Sequence, residues 1–230
     1  MDAVIKVGGS LAETPEVLRA LCVELCQIAK EYAFVVVPGG ARFADVVRDF
    51  DEKFALPPVV SHRMAILAMD QYGLVLSHLI PESRCFNSIK TVKCISEDKK
   101  VSVLLPSKLM FLEDSLETSW DVTSDSIAAY IAHRLHAERV ILVTDVNGVF
   151  TKDPKKFVDA KLMSEVSVGE LLSYAERTSV DKFLPKYLSK NPIDCYIVNG
   201  KHPERIKAVL SGRKTICTRI VADACVLVKT

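Results

Sequence analysis

The 230 residues carry 49% hydrophobic and 26% charged side chains, and 30 basic against 29 acidic residues give a formal net charge of +1. A chain of this size and composition can bury a continuous core, as one large α/β domain or two closely joined lobes, and has no overall field to draw it to nucleic acid or an anionic membrane. The opening Met1-Asp2-Ala3-Val4-Ile5-Lys6 has no secretory-signal pattern and no apolar run approaches the ~20 residues of a membrane span, while seven scattered cysteines (22, 26, 85, 94, 195, 217 and 225) fit reduced thiols of a cytoplasmic protein.

In chain order, Val4-Ile5-Lys6-Val7 reads as a strand running into Gly8-Gly9-Ser10. Val17, Leu18, Leu21, Cys22, Leu25 and Ile28 then recur at helical spacing, with Pro15 suited to the first turn. Cys22 and Cys26 share a face of that helix, but no CxxC or Cys/His cluster accompanies them, so packing is expected and no metal site. Phe34 to Val37 is the second strand, closed by Pro38-Gly39-Gly40, and Arg42 to Phe50 begins the helix that follows this second glycine turn. Pro57-Pro58 interrupts the pattern before a long segment from Val59 to Leu79, in which Met64, Leu67, Ala68 and Leu74 are available for packing.

Val101 to Leu105 reads as a strand, and Lys108 to Leu112 as a further extended piece. Thr123-Ser124-Asp125 offers hydroxyl and carboxylate caps to an alanine-rich helix through Ile127, Ala128, Ile131, Ala132 and Leu135. Val140 to Thr144 is the clearest interior strand and ends in the turn signal Asp145-Val146-Asn147-Gly148. A short helix at Val168 to Tyr174, a strand around Cys195 to Val198, the Asn199-Gly200 turn and a helix from Pro203 to Leu210 follow. From Thr215 onward, two β-rich pieces separated by Ala222-Asp223-Ala224 suit a sheet edge. The alternation implies a three-layer α/β sandwich, with a mainly parallel central sheet covered by helices on both faces. No repeat or flexible linker divides it, so lobes 1–138 and 139–230 are expected as halves of one continuous fold with a crevice between them.

Lys6 is out of character in an apolar strand unless its ammonium is delivered to the loop beyond. There, glycines without a Cβ let backbone amides approach an anion. Two glycine turns after consecutive strands point to one composite crevice. Neither is a Walker loop, and no GxGxxG is present. Each candidate has a plainer reading: Lys6 as a solubilising edge residue, Asp125 as a helix cap, Asp145 as a turn residue, Lys186 as a solvated helix lysine.

Four segments occur in one order: Lys6 to Ser10, Pro38-Gly39-Gly40, Thr123 to Ala129, and Thr144 to Pro154. Together they resemble the amino acid kinase superfamily, which includes acetylglutamate, carbamate, uridylate, aspartate and isopentenyl phosphate kinases. The resemblance spans essentially the whole chain. It implies an ATP-dependent phosphotransferase that uses Mg2+ and forms a homo-oligomer, with the phosphoryl acceptor on 1–138 and ATP on 139–230. Lys6 matches the lysine that contacts the transferring phosphoryl group, and Asp125 the acid that positions catalytic lysines. Gly8, Gly9 and Ser10, with Gly39 and Gly40, match the backbone around phosphates and acceptor. Thr144, Asp145, Gly148, Phe150, Lys152, Asp153 and Pro154 match the nucleotide loop. Lys186 looks like a second family lysine, although Val180-Asp181-Lys182 stands where many relatives have Gly-Gly-Met.

Within the superfamily, Ser61 to Gly73, Pro38 to Asp45, and Tyr196 to Gly200 with Pro203-Glu204-Arg205 resemble the archaeal 5-(aminomethyl)-3-furanmethanol phosphate kinases of methanofuran biosynthesis. That implies phosphorylation of a phosphate, giving a diphosphate. A phosphomonoester acceptor needs cations, for which Arg42, His62 and Arg63 follow the second glycine turn. Asp45 or Asp70 would suit its amine. A carboxylate acceptor, an isoprenoid phosphate acceptor and a non-catalytic nucleotide sensor or anion-storage subunit are the alternatives.

Overall fold

The structure, a computed structural model, describes residues 1–91, 99–113, 115–152, 156–174 and 178–221. Ala3–Val7 (β1) and Phe34–Pro38 (β2) are buried at every position, the signature of strands covered on both faces. They join Arg84–Phe86 (β3), Ser102–Leu104 (β4), Arg139–Thr144 (β5), Glu165–Ser167 (β6), Asp194–Asn199 (β7) and Thr218–Val221 (β8) in one sheet of order β3-β4-β2-β1-β5-β7-β8-β6. Pairing is parallel from β3 through β7. β8 runs antiparallel to β7 and carries β6 parallel to itself.

The helices are Pro15–Ile28 (α1), Ala41–Phe54 (α2), Pro58–Leu79 (α3), Ser107–Glu113 (α4), Ser124–Leu135 (α5), Val168–Ser173 (α6), Phe183–Lys190 (α7) and Glu204–Leu210 (α8). Alternate residues of the sheet feed two separate cores. Val4, Val35, Val140 and Leu142 pack with Ile127 and Ile131 of α5 and Leu184 and Leu188 of α7. Ile5, Val7, Val36 and Ile141 pack with Leu18, Leu21 and Leu25 of α1 and Ile206 of α8. These are the three expected layers. Among the described residues no helix is long and apolar enough to cross a membrane.

Three local expectations are corrected. Lys108 to Leu112 is not extended but lies in α4, because the Asp70 carboxylate accepts from the Ser107 amide at 3.1 Å and from its hydroxyl, capping the helix from α3. Thr123 makes no side-chain cap to α5; a remote carboxylate described below takes that place. The last described strand, β8, sits inside the sheet between β7 and β6 rather than at its edge. The second β-rich piece lies outside the described residues.

Candidate active site

β1 is flanked by β2 and β5, with Lys6 in register with Val37 and Leu142. The chain leaves β1 towards β2 and later returns to β1's other side as β5, so the carboxyl ends of these strands open onto a switch point, where ligands of open α/β sheets bind. A cleft of about 640 Å³ lies there.

The two glycine turns meet backbone to backbone. A Cβ on Gly9 would stand 2.4 Å from the Ala41 nitrogen, and one on Gly39 would stand 2.7 Å from the Gly9 nitrogen. Ala41 turns the chain with φ +46°, in the left-handed region. The N-terminus of α2 thereby arrives beside the first turn, with Gly40 as an N-cap that offers no side chain to its amides. Unpaired helix amides with the dipole behind them favour an anion.

Lys6, only 9% exposed, places its ammonium 2.7 Å from Asp125 Oδ1 and 3.7 Å from where a Gly8 Cβ would be. Asp125 stands in the first turn of α5 and is buried. Among the described residues the cleft lining contains four acids: Glu13, Asp45, Asp125 and Asp145. Glu13 is held by both ends of the Arg42 guanidinium at 2.8 and 2.6 Å, and that hydrogen bonding lowers its pKa. Asp45 pairs with Arg48 at 2.9 Å and Asp125 with Lys6. Among the described residues, Asp145 accepts only from hydroxyls, of Ser10 at 3.1 Å and Thr144 at 3.2 Å.

Of the residues singled out in the sequence, the cleft gathers Lys6, Gly8, Gly9, Ser10, Gly40, Arg42, His62, Asp125, Thr144 and Asp145. Gly39 lies directly behind Gly9. The others fall elsewhere. Gly148, at φ +148°, packs against Thr218 of β8. Phe150 bridges to Leu162, and Lys152 pairs with Asp159 at 2.7 Å; Asp153 and Pro154 lie outside the described residues. The Arg63 guanidinium sits over the Phe111 ring at 5.6 Å. Lys186, half exposed, pairs with Glu117 and is not part of the cleft wall.

Two residues that sequence reasoning passed over line the cleft, and a third, Asp181, lies behind Asp125. The Arg48 guanidinium lies 4.9 Å from the centroid of Trp120, whose indole N–H donates to Asp51 at 2.7 Å. Arg48 and Trp120 both line the cleft. Trp120 is the only tryptophan of the chain, which was its one available signal. Asp181, 2% exposed, accepts from Thr123 N at 2.9 Å, Ser126 N at 3.0 Å and Leu184 N at 2.8 Å. It thus caps both α5 and α7. Burial, and then the charge of Asp125, push the Asp181 carboxyl above its ordinary pKa.

Residues 1–199 match the amino acid kinase family. The chain belongs to the amino acid kinase family. Within this family of kinases it is 35% identical over 225 residues to the (5-(aminomethyl)furan-3-yl)methyl phosphate kinase of Methanocaldococcus jannaschii, covering 95% of this chain and 97% of that protein. It is 26% identical to the uridylate kinase of Thermococcus kodakarensis, over 93% of this chain and 96% of that one. Its amino acid kinase fold superposes on the crystal structure of the Archaeoglobus fulgidus uridylate kinase with a TM-score of 0.76, at 22% identity, over 96% of this chain and all of the other. The chain is therefore an enzyme of the kinase class.

Proposed function

We propose that this kinase transfers the γ-phosphoryl group of ATP to the phosphate of 5-(aminomethyl)-3-furanmethanol phosphate, yielding the diphosphate and ADP. The observation that carries the reading is a buried lysine ammonium held 2.7 Å from a carboxylate at the meeting point of two glycine turns. The acceptor class rests on the 35% identity to the M. jannaschii kinase of that name.

Phosphoryl transfer needs alignment and charge stabilisation more than covalent chemistry. An ionised oxygen of the acceptor phosphate attacks the γ-phosphorus while the bond to the β-phosphate oxygen breaks, and ADP departs with that electron pair. The nucleophile is already ionised, so no side chain has to take its proton. Lys6 faces charge that develops on the transferring group, and Asp125 holds the ammonium in place. The backbone of Gly8, Gly9 and Gly40 lets oxyanions approach closely. Arg48, Arg42 and His62 line the wall towards α2 and α3 and serve the acceptor; residues of 139–230, with Thr144 and Asp145 at the strand end, serve ATP.

Mg2+ suits the donor set, because Asp145 is the one cleft acid among the described residues whose hydrogen bonds, as given above, involve no cation. It would hold an ion that arrives with the nucleotide phosphates. When bound, Mg2+ neutralises charge on the β- and γ-phosphate oxygens. Self-association belongs to the same reading and is supported by a row of partly exposed apolar residues along α2, Phe43, Val46, Phe50 and Phe54. Acceptor-dependent ADP release tests the reading. Aminomethylfuran phosphate should stimulate it strongly, with uridine monophosphate, acetylglutamate and isopentenyl phosphate far behind. Equal or greater stimulation by one of those three would reassign the acceptor, and none by any would favour a nucleotide sensor.

A further inference from the structure

We propose that Asp181 is a positioning residue for phosphoryl transfer, fixing Asp125 and through it Lys6 at the glycine turns. The inference rests on the reading that Lys6 and Asp125 serve the transfer. Asp125 has two carboxylate oxygens. One accepts from Lys6 at 2.7 Å, and the other accepts from the backbone N–H of Asp181 at 3.1 Å. With both oxygens engaged, the carboxylate plane is set and Oδ1 is aimed at the ammonium.

The donor of that second bond is itself anchored on all sides. Asp181 Oδ2 takes the amide and the hydroxyl of Thr123, each at 2.9 Å, and the Ser126 amide at 3.0 Å; Oδ1 takes the Ser126 hydroxyl at 2.6 Å and the Leu184 amide at 2.8 Å. Two helix N-termini converge on this single carboxylate, and their orphan amides and dipoles stabilise its charge in a nearly dry place. A second buried anion beside Asp125 is unfavourable in itself. It is tolerated because α5, which carries Asp125, and the 178–184 segment are thereby locked at one mutual distance. Thr178 and Ser179, just upstream, line the same cleft, so a shift of this segment reaches Asp125 without touching Lys6 directly.

The test is a double-mutant cycle on acceptor-dependent ADP release, with Asp181→Asn, Asp125→Asn and the pair. Asp181→Asn keeps the shape but turns an NH2 group towards at least one backbone N–H. It should lower kcat by about 100-fold, the scale of an ångström-sized misplacement, with KM for ATP held within about twofold. Because Asp181 acts through Asp125, the pair should be no slower than Asp125→Asn alone, within about twofold. Full kcat in folded Asp181→Asn, or losses that multiply in the pair, would overturn the inference while leaving the role of Lys6 and Asp125 intact. An Asp125→Asn enzyme at full speed would instead remove the underlying reading, and this inference with it. Should Asp181→Asn not fold, Ser126→Ala withdraws one buried donor only. A several-fold lower kcat that vanishes in the Asp125→Asn background then supports the positioning role, and an unchanged kcat overturns it.

Discussion

A lysine and an aspartate, 11% and 5% exposed along their side chains and 2.7 Å apart, form a pair that is costly to bury and costlier to break. Truncating Lys6 leaves Asp125 beside the buried Asp181 with no cation between the strand and the helix. Lys6→Ala should therefore lower kcat by about 10²–10³-fold, as for loss of one preorganised donor, and lower the denaturation midpoint as well. Nucleotide affinity, read by titration with a non-hydrolysable ATP analogue, should change far less; unchanged turnover would remove Lys6 from the chemistry. Lys6 was legible in the sequence because it breaks the pattern of its own strand within two residues of Gly8. Asp181 was not, since its partners Thr123 and Ser126 lie more than fifty residues away and nothing local in Val180-Asp181-Lys182 marks a shared cap. Arg42 and Arg63 were legible as cations but not as paired ones: Glu13 and Phe111 meet them only in the folded chain.

At the scale of elements, the site depends on how closely the β1 turn and the start of α2 approach. A Cβ on Gly9 would lie 2.4 Å from the nitrogen and 2.6 Å from the Cα of Ala41. Both are backbone atoms, so no side chain can swing aside. Gly9→Ala must push α2 away from β1, and with it Arg42, Asp45 and Arg48. Turnover should fall by about 100-fold for a shift near an ångström, while circular dichroism still reports the native helix content. An enzyme that tolerates the methyl at full turnover would mean the contact is slack. The alternation of long strands and helices was readable because β2 and the 140–143 stretch of β5 are apolar runs, β1 is interrupted by Lys6 alone, and α1 repeats at helical spacing. Three-residue strands such as β3 and β6 carry too little pattern to read. α4 was misread because its cap, Asp70, comes from another helix.

At the scale of the molecule, burying both faces of the sheet has a cost that appears only in alkali. Burial pushes the Cys22 thiol up to about 12 and the Tyr187 hydroxyl up to about 12, against ordinary values of 9.0 and 10.0. Cys195 and Tyr72 are raised for the same reason. Below about pH 8 these groups are protonated in both the folded and the unfolded chain, so they contribute no slope. Above it the unfolded chain releases protons that the folded one retains. The unfolded state then binds fewer protons, and stability falls as pH rises through the window up to the folded values. Each fully unmatched group contributes about 1.4 kcal/mol per pH unit. The urea midpoint should therefore drop between about pH 8 and about pH 10.5, and Cys195→Ala, whatever it does to the midpoint at the lower pH, should make that drop shallower. A midpoint that stays level across this range would mean that water or local opening already reaches these side chains in the native state. The two cores that hold β1 and β5 rigid beneath the cleft would then be looser than their packing implies, and Lys6 would lack the fixed platform its role requires.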